Sequence, residues 1–310
     1  MLSAHGVRRK VPIETPRILI MGSAGQLGCE LQRSFAGLGD IVTVDRDTCD
    51  LANPEELRAL IRGIRPSLLL NAAAYTAVDR AESEPELAHA INATAPGIMA
   101  EEARQLDALL VHYSTDYVFD GSGSTPWIEQ DTPRPLNLYG ASKLAGEQAV
   151  AAAGGRYLTF RTSWVYGPHG KNFLFTMLRL GSERDKLSIV EDQVGAPTSS
   201  IALADATRTI VDGILAGRFG APEEWAGLYH MTCAGSTSWF GFAQAIFARA
   251  ASRLGARSPA LTPIGSEAYP TPAQRPRNSV LCNGKLAARF QVTLPAWEAA
   301  LDAVFDALPR

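Results

Sequence analysis

The chain has 310 residues, 46% of them hydrophobic and 20% charged, a profile that suits a globular protein with one large domain and a smaller appendage. Its net charge of −3 and pI near 6.0 exclude a broad basic surface for nucleic acid or an anionic membrane. Cys29, Cys49, Cys233 and Cys282 lack C-x-x-C spacing, and the five histidines form no H-E-x-x-H pattern, so neither a disulfide framework nor a zinc site is expected.

Residues 1–16 combine Arg8-Arg9-Lys10 with two prolines and hold no apolar segment of signal-peptide or membrane length. They are expected to form a disordered extension, and the protein to be cytoplasmic. The run Arg17-Ile18-Leu19-Ile20-Met21 then leads into Gly22-Ser23-Ala24-Gly25-Gln26-Leu27-Gly28, which has the form of a strand, a glycine turn and a helix start. Gly22 and Gly25 would let the backbone turn and approach a pyrophosphate, Gly28 would let the helix pack on the strand, and the helix N-terminus would offer free amides to phosphate. An ordinary strand-to-helix turn would use the same glycines. Ile41 to Asp45 reads as the next strand, ending in a carboxylate placed to bind an adenosine ribose, which favours NAD. Arg46 beside it favours the extra phosphate of NADP, so the expected cofactor is NADPH or NADH. Asp50 and Leu51 are placed near the adenine, although Asp50 also suits a solvated loop or the cap of a helix opening at Asn53-Pro54.

Strands at Leu68–Asn71 and Leu109–Ser114, with helices from about Asn53 and Pro85 between them, continue the alternation. Such a pattern predicts an α/β fold with a parallel sheet and ligands at the carboxyl ends of its strands. Asn71-Ala72-Ala73-Ala74 gives the third strand small side chains at that edge, close enough for a nicotinamide to approach the backbone. The fourth strand runs into Ser114 and Thr115, hydroxyls suited to orienting a carbonyl. Tyr139 and Lys143 lie four residues apart, on one face if the segment is helical. The ammonium is expected to draw the phenol's pKa down from about 10 toward neutrality, making Tyr139 a proton donor for a ketone receiving hydride. Tyr157–Thr162 and Leu187–Val190 read as further strands, and helical patterns at 238–254 and 294–308 flank a proline- and glycine-rich stretch from Ser258 to Pro276. A smaller lobe covering the substrate is predicted from them.

Seven blocks in order carry a family resemblance: Gly25-Gln26-Leu27-Gly28, Asn71 to Asp79, Ser114 to Gly121, Tyr139 to Glu147, Arg161 to Gly167, Glu191 to Thr198, and Arg275 to Ser279. The chain resembles the extended short-chain dehydrogenases, whose loop has the same G-x-x-G-x-x-G spacing, and within them the dTDP-4-dehydrorhamnose reductases, from Ile18 to about Ser279. The resemblance implies a Rossmann-type doubly wound parallel sheet over residues 17–165. A smaller C-terminal α/β substrate lobe, interleaved with it, would occupy most of 166–310. It implies reduction of the C4 ketone of dTDP-4-dehydro-β-L-rhamnose to dTDP-β-L-rhamnose, in dTDP-rhamnose biosynthesis. Tyr139, Lys143 and Thr115 would be catalytic. Gly25, Gln26, Leu27, Asp45, Ala74, Tyr75, Thr76, Tyr113 and Lys143 would line the cofactor, Thr115 and Asp116 would contact the sugar, and Trp164 would pack on it unless it is a plain core aromatic. Arg275 is expected on the diphosphate, where a guanidinium grips two oxygens, although a surface arginine in a proline-rich loop reads the same way.

Some of these reductases resemble magnesium-linked dimers that use a glutamate shortly after the Gly-Ala-Pro-Thr block. Ile201 stands there instead and offers no oxygen ligand, so no magnesium is expected despite Glu30, and the state stays open between monomer and homodimer. Two alternatives make different demands on the residues. A nucleotide-sugar dehydratase or epimerase would retain NAD, and a dehydratase would carry an acid pair after the threonine, whereas Asp116 is followed by Tyr117. A non-catalytic dinucleotide-binding subunit, similar to the methionine adenosyltransferase β subunit, would not need Tyr139, Lys143 and Thr115 together.

Overall fold

The computed structural model describes residues 15–308; the extension expected at residues 1–16 falls almost wholly outside them. Six strands form one sheet: β1 (Arg17–Met21), β2 (Asp40–Val44), β3 (Leu68–Asn71), β4 (Leu109–Thr115), β5 (Tyr157–Thr162) and β6 (Gly227–His230). Their order is β6-β5-β4-β3-β1-β2, and every pairing is parallel. A parallel sheet carries crossover helices on both faces, so its strands are apolar without alternation. Alternate residues of β1 accordingly serve two cores, Ile18 and Ile20 on one face and Leu19 and Met21 on the other. All four are buried, at roughly 2 kcal/mol each.

The helices follow local chemistry. Helix α1 (Gln26–Phe35) starts from the glycine turn, and α2 (Pro54–Ile64) is capped by Asn53, whose side chain accepts the Glu56 N–H with proline at the first turn. Helix α3 (Ala95–Gln105) continues two preceding pieces, Pro85–His89 and a π-turn at Ala90–Thr94. Pro96 lacks the N–H that would bond the Asn92 carbonyl one turn back, and the helix widens there, with the Ala95 N–H reaching Ala90. Helix α4 (Leu138–Ala153) is capped by Asn137 and ends at Gly154, whose φ of +70° with ψ of −161° is open to glycine. Its inward face repeats at helical spacing through Lys143, Glu147 and Val150.

The predicted strand at Leu187–Val190 exists as Lys186–Val190 but lies outside the main sheet, pairing with Ala260–Ile264. With it the segment Val194–Gly195 pairs antiparallel to Thr237–Ser238. Helices α5 (Ser200–Leu215), α6 (Trp239–Leu254) and α7 (Trp297–Ala307) follow in the same half of the chain. Strand β6 comes from this half too, so the last strand of the main sheet is made after the strands at Lys186–Val190 and Val194–Gly195 and after α5. Among the described residues, no helix is long and apolar enough to cross a membrane.

Candidate active site

The chain leaves β1 for α1 between β2 and β3, the point where the strand order reverses. Gly22 and Ser23 donate to the Val44 carbonyl at 2.8 and 3.1 Å, which ties the turn to β2. Gly22 has φ of +76°, and a Cβ on it would sit 2.7 Å from the Ala73 backbone. A Cβ on Gly28 would collide with the Gly22 carbonyl, so α1 can press on the turn only as glycine. Gly25, at the N-cap, supplies no capping side chain, and the first amides of α1 stay open to an anion. This cradle fits a dinucleotide pyrophosphate. Farther out, the Asp45 carboxylate accepts from the Asp47 N–H at 3.0 Å and the Thr48 hydroxyl at 3.1 Å, so it holds its own turn, with Arg46 exposed beside it. Asp50 likewise accepts from the Ala52 N–H at 2.9 Å, and Leu51 packs on the core beneath. Ala74 and Thr76 flank Tyr75, whose hydroxyl donates to Glu84 at 2.5 Å.

At the other end of the cleft, α4 brings Tyr139 and Lys143 to the end of β4. Burial pulls the Lys143 ammonium down to about 8, with Glu147 opposing, and its Nζ donates to the Tyr113 carbonyl at 2.6 Å. Tyr139 is half-buried; burial, the largest influence, pushes it up to about 12, with the nearby Thr115 hydroxyl opposing. The expected depression of Tyr139 by Lys143 is therefore not what the site does, because desolvation of the phenol wins and the ammonium is committed to a carbonyl of β4. Thr115 accepts from the Tyr117 N–H at 3.2 Å and donates to the Asp116 carboxylate at 2.9 Å. Asp116 is pushed up to about 7, mainly by burial, against the hydrogen bond from Thr115 and the nearby Ser279 hydroxyl. Its Oδ2 and the Ser114 hydroxyl are buried without a partner among the described residues. Unpaired polar atoms of this kind in a cleft suit a ligand that completes them.

Two expected residues sit differently from the sequence reading. The Tyr113 ring packs in the core 6.0 Å from Phe160, with its hydroxyl 2.7 Å from that of Thr207, so only its carbonyl faces the site. In β4 it alternates with His112 and Ser114, which places its side chain on the other face of the sheet. Arg275 pairs with Asp79 at 2.9 Å and lies 6.0 Å over the ring of Tyr117, which packs edge-on to Tyr139 at 5.7 Å. It is thus already balanced by a carboxylate and reaches Tyr139 through the ring of Tyr117. Trp164 is half-buried, with a Cβ on Gly195 placed 2.6 Å from its indole.

Three polar residues went unread in the sequence. Asn92, on the π-turn, accepts from the Tyr75 N–H at 2.8 Å and donates to the Tyr75 carbonyl and the Ser142 hydroxyl, both at 3.0 Å. It ties the loop at Tyr75 to α4. Pro96 inside an apolar helical run was the available signal. Asn71 accepts from the Ala73 N–H at 3.1 Å, which fixes its amide so that it donates to His112 Nδ1 at 3.0 Å. His112 is therefore protonated on Nε2, and burial together with Lys143 holds its pKa well below the ordinary range, so it stays neutral. Near Glu30, Arg33 lies at 2.6 Å and His169 at 3.2 Å, and no group of three metal-ligating side chains occurs among the described residues.

The family model described as RmlD substrate binding domain matches residues 16–309. The dTDP-4-dehydrorhamnose reductase of Burkholderia thailandensis is 50% identical over 288 residues, covering 92% of this chain and 96% of that protein. That of Escherichia coli K12 is 44% identical over 296 residues, covering 94% and 97%. A crystal structure of dTDP-4-dehydrorhamnose reductase from Bacillus anthracis, in complex with NADP, superposes with a TM-score of 0.86 at 36% identity, covering 94% of this chain and 99% of that one. Thermus thermophilus UDP-glucose 4-epimerase shares the fold, at a TM-score of 0.70 and 21% identity. The chain belongs to the RmlD family, that of the dTDP-4-dehydrorhamnose reductases.

Proposed function

We propose that the chain reduces the C4 ketone of dTDP-4-dehydro-β-L-rhamnose to dTDP-β-L-rhamnose, with NADPH or NADH as reductant and Tyr139 as proton donor. The observation that carries this reading is the set Tyr139, Thr115 and Asp116 at the carboxyl edge of the sheet, beside a buried Lys143. A bound nicotinamide dinucleotide would supply the hydride. The turn at Gly22 to Gly28 would hold its pyrophosphate and Lys143 its nearer ribose. Thr115 orients the ketone, and Tyr139 gives its proton to the C4 oxygen as that oxygen becomes an alkoxide. A phenol near 12 suffices, because an alkoxide is a stronger base than a phenolate and the transfer runs downhill. Asp116 and Ser114 complete their unpaired atoms on sugar hydroxyls. Arg275, braced by Asp79, directs its remaining N–H groups at the diphosphate.

The test is nicotinamide absorbance loss with dTDP-4-dehydrorhamnose, run with NADPH and NADH. Tyr139→Phe is expected to lower kcat by about a hundredfold to ten-thousandfold, the range for removing a general acid. Equal turnover in both proteins would dismiss Tyr139 as donor. Tightly retained NAD with no net consumption of reduced cofactor would favour an epimerase or dehydratase, and absence of any turnover would favour a binding subunit.

A further inference from the structure

Trp164 has φ of +47°, a left-handed conformation that a bulky aromatic residue adopts only where its surroundings impose it. Three things impose it here. Its carbonyl accepts from the Thr198 N–H at 3.2 Å. Residue 195 is glycine, and a Cβ there would lie 2.6 Å from the indole Cε2, 2.8 Å from Nε1 and 2.9 Å from the Ser279 hydroxyl. Its indole also stacks on Trp239, with centroids 3.6 Å apart and planes within 6°.

These contacts tie the indole to the chemistry. The point that Gly195 leaves vacant is bordered by Trp164 and by Ser279, whose hydroxyl donates to the Val194 carbonyl at 3.3 Å and lies beside the Asp116 carboxyl. Trp239 is anchored separately, from the smaller lobe. It opens α6 behind the Ser238 cap, Thr237–Ser238 pairs with Val194–Gly195, and Phe173 backs its ring at 4.6 Å, itself stacked at 5.5 Å on the buried Phe242. One short ribbon thus carries the vacancy on one strand and the cap preceding Trp239 on the other.

We infer that Trp239 is the positioning residue for the sugar-facing wall of the cleft: by stacking on Trp164 it holds that indole in its left-handed pose, so the hexose ring meets a surface already in place. The inference rests on the reading that Trp164 meets the sugar. Without the stack, the indole regains rotamers and its backbone relaxes, so the sugar must order the wall as it binds. The loss therefore falls on the sugar nucleotide, whereas the cofactor cradle at Gly22 to Gly28 lies on another loop.

Steady-state kinetics of Trp164→Ala, Trp239→Ala, Trp239→Phe and the double Ala variant test it, with near-UV circular dichroism of the indole pair as a second readout. Trp239→Ala is expected to raise the sugar-nucleotide KM about tenfold, with cofactor KM unchanged and the paired-indole signal lost. Trp239→Phe is expected to restore most of the affinity, and the double variant to be no worse than Trp164→Ala alone. A sugar KM unmoved by Trp239→Ala, where Trp164→Ala does raise it, overturns the inference. So does a double variant in which the two losses multiply, since Trp239 would then act on its own. A Trp164→Ala protein with native KM sinks the reading underneath instead, and the two failures are distinct.

Discussion

Replacing Asp116 by Asn isolates the effect of burying a carboxyl in this site. Asp116 is 2% exposed. Burial raises it from 3.8 to about 7, outweighing hydrogen bonds that favour the ionised form. Between those values the native state keeps a proton that the unfolded chain has released. Native stability therefore falls as pH rises through the window, and the effect is level above it. At about 1.4 kcal/mol per pH unit the whole penalty is at most about 4 kcal/mol, and water entering the cleft lowers it. Asn cannot ionise, yet it keeps an acceptor for the Thr115 hydroxyl. Urea unfolding of native and Asp116→Asn proteins at about pH 5 and about pH 8 gives the comparison, and subtracting one protein from the other removes groups that both share, Lys143 among them. The variant's advantage should grow by up to about 3 kcal/mol between the two conditions. An advantage equal at both, or one that shrinks toward the higher pH, would refute the reasoning.

Arg46→Ala should raise the KM for NADPH by about tenfold and leave that for NADH nearly unchanged, because Asp45 is occupied by its own turn while Arg46 is exposed beside it; initial rates with the two cofactors decide. Gly146→Ala tests the crossing of α4 on the π-turn. The added methyl would meet the Asn92 carbonyl, so an overpacking loss of about 1–3 kcal/mol outweighs the roughly 1 kcal/mol that alanine contributes in a helix. A raised Tm would contradict that contact. Arg275→Ala should raise the KM of the sugar nucleotide more than that of the free hexose ketone, measured with both substrates. Equal effects would reduce Arg275 to a tether for Asp79.

Features governed by near neighbours were readable in the residues. The glycines at 22 and 28 and the apolar runs of β1, β3, β4 and β5 each follow from a few adjacent side chains, and they appear where expected, whereas the cap of α2 is Asn53 rather than Asp50. What depended on distant partners was not readable. Leu187–Val190 is recognisably a strand, but no local pattern says that its partner is Ala260–Ile264 rather than the main sheet. Tyr139 and Lys143 share a helix face as their spacing required, yet the fate of the phenol turns on how completely other elements desolvate it. The Tyr113 side chain could have been placed by strand alternation from His112, and the family pattern pointed the other way.

Strand β5 is synthesised roughly sixty residues before β6, its outer neighbour. At about 5–20 residues per second on the ribosome, that edge stands open for several seconds. An open edge of Tyr-Leu-Thr-Phe-Thr character would invite pairing with another nascent chain, and a charge on such a strand discourages it. Arg161 is that charge. In the finished fold it is 2% exposed, held at 2.8 and 2.6 Å by Glu147 of α4, with its guanidinium 5.0 Å over Phe119. Glu147 is already made when Arg161 emerges, so the arginine can be neutralised by its own chain but remains a deterrent to a stranger's strand. Arg161→Met would strand the buried Glu147 carboxylate as well as remove the charge from the open edge, so both a lower melting point, from the roughly 3–5 kcal/mol of a broken buried pair, and a larger aggregated fraction during translation are expected.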